Sequence, residues 1–203
     1  MPAEVSPYDP RTLAFYNTRA VDYATARPDR VSRELEAFLP RLAPASRVLE
    51  LGCGAGYDAA ELERQGHSVD ATDGSAAMAA LASRRLSRPA RVLRFDELEA
   101  EADYDAVIAC ASLLHVPHAA LPSVLARIHR ALRPGGWHFA SYKTEGRPGW
   151  DRHDRYYNRL SRTDADRFYA GAGPWDLVEF EERDGEGYFA EPSRWLFVTA
   201  RKG

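Results

Sequence analysis

Lysine is nearly missing from this chain. Of its 27 basic residues only Lys143 and Lys202 are lysine; the others are arginine. With the many alanines, this reflects codon usage in a GC-rich genome and says little about function. Excess positive charge is also missing. The formal net charge is −3 and the pI about 6.1, which argues against a dedicated binder of nucleic acid or of anionic membranes. Cysteine is scarce, with only Cys53 and Cys110. Their spacing makes neither a zinc nor a redox motif, so reduced thiols and a cytoplasmic setting are expected. The longest nearly apolar run, 106–114, is too short to cross a bilayer. The first residues lack the apolar core of a secretory leader. No internal repeat or low-complexity tract interrupts the 203 residues, and one domain is the default at that length.

What the chain does contain is a glycine turn between two regular elements. Val48-Leu49-Glu50-Leu51 is a short apolar run ending near an acid, followed by Gly52-Cys53-Gly54-Ala55-Gly56 and then by a helical pattern from Tyr57. Glycine lets the chain turn tightly and lets a ligand touch bare backbone. The helix start that follows offers unpaired N–H groups to an anionic group. The helix is expected to stop at Gly66, and 68–72 reads as a second strand ending at Asp73. An acid at that tip, about 20 residues past the glycines, suits a free ribose diol. Gly74 and Ser75 open the next helix, with Ser75 as its cap.

The spacing departs from the dinucleotide fingerprint, because Tyr57 stands where its third glycine would be. The pattern Glu50-x-Gly52-x-Gly54-x-Gly56 resembles the cofactor motif of class I S-adenosylmethionine-dependent methyltransferases. Asp73-Gly-Ser, Phe95-Asp96, Asp103-Tyr-Asp-Ala-Val-Ile and Leu132-Arg-Pro-Gly-Gly-Trp resemble that family's later landmarks in the right order, over about residues 46–142. The resemblance implies a Rossmann-like α/β fold with helices on both faces of a mostly parallel sheet, closed by an antiparallel β-hairpin from 176–182 and 194–200. It implies one methyltransferase domain over 1–203, with a helical cap over 1–40 and a substrate-side insertion over 143–175.

The resemblance also implies site roles. Gly52, Gly54 and Gly56 would bring backbone to the methionine part of the cofactor, with Cys53 as a small buried filler in the same turn. Glu50 would order the loop or take the ammonium. Asp73, with Gly74 and Ser75 beside it, would take the ribose. Asp96 would accept the adenine amino group, with Glu97 adjacent and Phe95 or Leu98 against the ring. Tyr16, Tyr23 and Arg27 are open to two roles: folding over the cofactor, or, for the tyrosines, facing the core from an amphipathic helix.

The remaining expectations concern elements and chemistry. Helices are expected over 10–27, 31–39, 57–65, 76–86 and 121–132, with a last one over 163–170 capped by Thr163. Strands are expected over 47–51, 68–72, 90–95, 104–110 and 137–142. His115, in the loop after the fourth strand, is the candidate catalytic base, the alternative being a histidine that anchors its loop. With His118 it makes too few ligands for a metal site. The arginine- and aromatic-rich stretch 143–162 follows the fifth strand and is similar to one in small bacterial methyltransferases, some labelled tellurite-resistance-related. It offers Lys143, Arg155, Tyr156 and Tyr157 for an anionic or polar small-molecule acceptor, or it is a solvated surface helix. A non-catalytic S-adenosylmethionine-binding module and, less favoured, a nicotinamide-dependent oxidoreductase are the alternatives. No nucleic-acid or membrane partner is expected, and the oligomeric state is left open.

Overall fold

A computed structural model describes residues 6–26, 31–187 and 191–203. Arg27, expected beside the cap tyrosines, lies outside the described residues. Among these residues seven strands form one sheet. Parallel strands β1 (Arg47–Leu51), β2 (Ser68–Asp73), β3 (Arg91–Val92), β4 (Tyr104–Ala109) and β5 (Leu132–Lys143) are joined by β8 (Trp175–Glu186) and β9 (Pro192–Lys202). The order is β3-β2-β1-β4-β5-β9-β8, with β9 antiparallel to both β5 and β8. A Rossmann-like sheet with a C-terminal antiparallel hairpin is therefore what the chain forms. Between β1 and β4 the chain order reverses, and in open α/β sheets the crevice beyond the carboxyl ends of such strands is where ligands sit.

The central strands read as continuous apolar runs because both faces are covered. Val48, Ala106 and Ile108 pack with Leu35, Phe38 and Leu62 on one side. Leu49, Leu51, Val107 and Ala109 pack on the other side with helix α6 (Leu121–Ala131) and α7 (Arg162–Ala172). In α6, Leu121, Val124, Leu125 and Ile128 are fully buried, the spacing of a one-sided apolar stripe. Helices α4 (Tyr57–Arg64) and α5 (Ala76–Ala82) follow β1 and β2. Ser75 caps α5 as expected, its Oγ accepting the Met78 N–H at 3.2 Å.

Several boundaries differ from the sequence reading, each for a local reason. The helix expected over 10–27 is two, α1 (Pro10–Thr18) and α2 (Ala20–Ala26). Thr18 Oγ1 turns back onto the Ala14 carbonyl at the break, and the rings of Tyr16 and Tyr23 then meet edge to face at 5.1 Å. The helix expected over 31–39 is α3 (Arg33–Phe38), followed by a 3-10 turn. Helix α5 stops at Ala82, where Ser83 Oγ bonds the Ala79 carbonyl. The strand over 90–95 shrinks to Arg91–Val92, because Arg94 and Glu97 close a tight turn through Arg94 N–H to Glu97 Oε2 at 2.8 Å. Ser161, not Thr163, caps α7 by accepting the Asp164 N–H. The Pro134-Gly-Gly turn is a bulge inside β5, between the pairs Tyr104↔Leu132 and Ala106↔Trp137. Within 143–161 there is no helix; the segment carries a small ribbon of β6 (Gly149–Trp150) and β7 (Tyr156–Tyr157). No helix among the described residues is long and apolar enough to cross a membrane.

Candidate functional site

The loop after β1 folds onto the end of β2. Gly52 and Cys53 N–H groups both reach the Thr72 carbonyl at 2.8 Å. Gly54 N–H donates to Asp73 Oδ2 at 2.9 Å, and Ser75 N–H donates to Asp73 Oδ1 at 2.8 Å. Asp73 is thereby fixed with its carboxylate facing a cavity of about 880 Å³. That is near the upper end of the roughly 300–1,000 Å³ typical of small-molecule sites.

The three glycines do different work. Gly54 has φ +54°, and beyond its chain neighbours none of the described residues comes within 4 Å of where a Cβ would stand, so its backbone opens on the cavity. A Cβ on Gly52 would overlap Ser112 Cβ, whose Oγ donates to the Leu51 carbonyl. On Gly56 it would stand 2.9 Å from Ala82 Cβ, against α5. Gly52 therefore lets the β4 loop close on β1, and Gly56 lets two helices approach; Gly56 does not line the cavity.

Glu50 ends the acidic wall. It is only 3% exposed, and its Oε2 is buried without a hydrogen-bond partner among the described residues. Burial first, then the charges of Asp58 and Asp73, push its carboxyl well above the ordinary 4.5. Burial likewise raises Asp73 from 3.8 to about 6, against the pull of its two backbone donors. Both folded values exceed the unfolded ones, so the folded chain holds more protons across that window. Their contribution to stability is complete below the unfolded values and is lost as pH rises through the folded ones. The ligand-free protein is therefore expected to melt lower at pH 7.5 than at pH 5. Glu50→Gln should flatten this slope and raise the melting temperature at pH 7.5 by several degrees, at about 2–4 °C per kcal/mol for this size. A parallel slope in Glu50→Gln, by calorimetric melts across that range, would remove Glu50 as its source.

On the other side of the cavity, His115 lies in the loop after β4. Its Nδ1 is 2.6 Å from the Tyr156 carbonyl, which can only accept, so Nδ1 carries the proton. Nε2 is then the acceptor for the Tyr16 hydroxyl at 2.9 Å. Desolvation holds His115 down at about 4, with the charges of Arg155 and Lys143 adding to it. Burial holds the Tyr16 phenol well above its ordinary value. Asn158 fixes this loop: its Nδ2 donates to the Leu113 and Val116 carbonyls, and its N–H donates to the Leu114 carbonyl.

The cavity brings together Glu50, Gly52, Cys53, Gly54, Asp73, Gly74 and Ser75 with Tyr23, His115, Lys143, Arg155 and Tyr157. It leaves out Gly56, Asp96, Glu97, Leu98 and Tyr156. Asp96 and Glu97 are ion-paired to Arg94 at 3.2 and 2.9 Å. Leu98 is buried in the core under α6, and Phe95 lines the cavity in its place. Tyr156 turns away to the His118 N–H and the Trp150 ring. His118 pairs with Asp164 at 3.4 Å. Arg155 lines the cavity, but its Nε and Nη2 both donate to Asp151 Oδ2, at 3.0 and 2.7 Å. The sequence reading missed Asp58, Asn158, Trp195 and the hairpin tip around Gly187. Only Asp58, one residue into α4 in the first turn after the glycines, carried a local signal.

Residues 23–175 match the sequence profile of a family described as methyltransferase domain. Among solved structures, the chain is similar to Burkholderia thailandensis 1,6-didemethyltoxoflavin-N1-methyltransferase with bound 1,6-didemethyltoxoflavin and S-adenosylhomocysteine. The two share 28% identity with a TM-score of 0.69, covering 93% of this chain and 84% of that one. It is 35% identical over 107 residues to trans-aconitate 2-methyltransferase of Deinococcus radiodurans, over 52% of this chain and 40% of that protein. It is 27% identical over 164 residues to Hemagglutinin 1 of Eikenella corrodens, over 75% of this chain and 53% of that protein. The chain thus spans about half or less of the length of these curated relatives.

Proposed function

We propose the function that follows from one premise: the chain belongs to the methyltransferase-domain family. It is an S-adenosylmethionine-dependent methyltransferase acting on a small molecule. The observation that carries this reading is the buried, unpartnered Oε2 of Glu50 in a cavity that also presents the Asp73 carboxylate and the open backbone of Gly54. Burial and neighbouring acids raise the Glu50 carboxyl, and a cation placed against it would favour its charged form. The cofactor's α-ammonium suits this acidic wall, and Asp73 suits its ribose diol. The bound S-adenosylhomocysteine of the Burkholderia relative supports the same choice. A nicotinamide dinucleotide fits less well, because Tyr57 replaces the third glycine and stacks under Arg85 at 4.3 Å.

S-adenosylmethionine supplies a methyl group already activated on a sulfonium. The protein's own work is to hold the acceptor in line, which can contribute several kcal/mol, and to remove a proton where the nucleophile carries one. Tyr16 and His115 form the proton path. A proton released at the cavity wall goes to Tyr16 Oη as Tyr16's own proton moves to His115 Nε2. The Tyr156 carbonyl holds the ring in the tautomer that allows this. Helices α1 and α2 bring Tyr16 and Tyr23 over the cavity from the N-terminal side and act as its cap. Across from them, the 143–161 segment and residues 183–187 form the acceptor side.

Calorimetry tests the cofactor reading. S-adenosylhomocysteine should bind and NAD should not, and Asp73→Ala should weaken the former by about 1.5–3 kcal/mol, the range for hydrogen bonds to a charged group. Parent-like binding by Asp73→Ala would withdraw the ribose role of Asp73. Binding of NAD alone would overturn the whole reading.

A further inference from the structure

We propose that Lys143 anchors a negatively charged group of the acceptor, and that the acceptor is a small organic acid whose carboxylate or phosphate meets Nζ while its nucleophile lies toward Tyr16 and His115. The proposal rests on the methyltransferase reading above and names the substrate class of that site.

Lys143 is the last residue of β5, opposite Trp195 of β9. It is 7% exposed, yet its ammonium makes no hydrogen bond or ion pair among the described residues. It lies over the Tyr157 ring at 5.0 Å and the Trp195 ring at 5.6 Å. These ring faces stabilise the charge, but they leave the three N–H donors of Nζ, which open on the cavity, without a hydrogen-bond acceptor among the described residues. Nearby carboxylates are already committed: Asp151 to Arg155 at 2.7 Å, and Glu191 to Arg152 at 3.0 Å. Arg155 and Arg159 add like charge around the amine. Glu191 and Asp151 favour the charged amine from a distance, but among the described residues neither forms an ion pair with Nζ, so the positive charge at this end of the cavity is open to an anion.

The geometry also fixes which cation is available. Arg155 carries the same charge, but its guanidinium is paired with Asp151 and its face lies against Phe15 at 5.1 Å. Lys143 reaches the cavity because Gly187, just after β8, leaves room for it. A Cβ on Gly187 would stand 2.7 Å from Nζ. Tyr157 joins the two, its ring 5.0 Å from Lys143 Nζ and 4.8 Å from the His115 ring, which puts anchor and proton path on one small acceptor. An arginine in this place would offer a fork; a lysine offers a point charge with three rotatable donors, suited to either acid.

The test uses the protein loaded with S-adenosylhomocysteine and two arms of probes. The carboxylate arm is benzoate and trans-aconitate with benzamide as neutral control. The phosphate arm is phenyl phosphate and phosphoethanolamine with phenol as control. At least one anion should bind the loaded parent more tightly than its neutral control, and the arm that responds identifies the acid. Lys143→Met should weaken that anion about tenfold or more, the loss of one charge-assisted hydrogen bond. Lys143→Arg should keep most of the affinity, and S-adenosylhomocysteine should bind all three proteins alike. Because Lys143 and Lys202 are the only lysines, reductive 13C-methylation gives a second readout without substitution. The anion should shift the Lys143 signal and leave that of Lys202 in place. Unchanged anion affinity in Lys143→Met, equal binding of neutral controls, or no binding in either arm overturns the proposal while cofactor binding stands. Failure of the parent to bind S-adenosylhomocysteine would instead bring down the methyltransferase reading and this proposal with it.

Discussion

Gly54→Val is expected to lose S-adenosylhomocysteine binding by about 100-fold or more, for steric and conformational reasons that act together, with the chain still folded. Gly54 holds φ +54°, a region that costs an L-residue about 1–2 kcal/mol and a β-branched one more. Its missing Cβ points at open space in the cavity wall, with no atom of the described residues beyond its chain neighbours within 4 Å. Valine would fill the space where ligand meets backbone. Any relief of the strain would also pull Gly54 N–H from Asp73 Oδ2, now 2.9 Å away, and so move the carboxylate assigned to the ribose. Nothing in the core touches this position, so a thermal melt should shift only by the local strain. Gly52→Ala and Gly56→Ala should behave differently. There the new methyl strikes Ser112 or Ala82, and stability should fall before affinity does. A folded Gly54→Val protein that binds like the parent would mean that the ligand lies elsewhere.

Tyr16→Phe and His115→Ala should each lower kcat by about 10²–10⁴, the range for removing general acid–base catalysis, on an acceptor that arrives protonated. Cofactor affinity should change little. Tyr16→Phe is the cleaner variant, because it keeps the ring contacts with Tyr23 and Phe15 and removes only the hydroxyl that joins cavity to imidazole. His115→Ala also frees the Tyr156 carbonyl and so disturbs the loop. The pH profile separates proton transfer from scaffolding. With His115 at about 4, Nε2 stays available through the neutral range, and activity should hold from pH 8 to about 5 and fall only toward 4. The sign follows from the depressed value: acid protonates the ring and closes the path. An inflection near 6.5 in kcat would mean an ordinary exposed histidine, and an unchanged kcat in Tyr16→Phe would remove the relay.

Much of this was legible in the sequence, because it depends on residues close together in the chain. The apolar run 48–51, the alternate glycines, the helix from Tyr57 and the acid at Asp73 follow from turn chemistry and short-range periodicity. Together they give the β-α-β unit, its direction and the side of the sheet on which a ligand sits. The apolar spacing of 121–132 likewise gives α6 and its buried face. None of these needs to know what lies elsewhere in the fold.

The assignment of individual side chains did need it. Sequence treats Gly52, Gly54 and Gly56 alike; Ser112 and Ala82, far along the chain, decide that only Gly54 faces open space. Arg155 and Lys143 are both cations beside the same strand end. Asp151 neutralises one, while the rings of Tyr157 and Trp195 flank the other, which has no ion-pair partner among the described residues. His115 is a base candidate by position, but its tautomer and partner come from Tyr156 and Tyr16, the latter 99 residues away. Hydrogen bonds and ion pairs act over a few ångströms, and burial sets their strength. Local sequence therefore determined where the site would form, and long-range packing decided which charges within it remain open to a ligand.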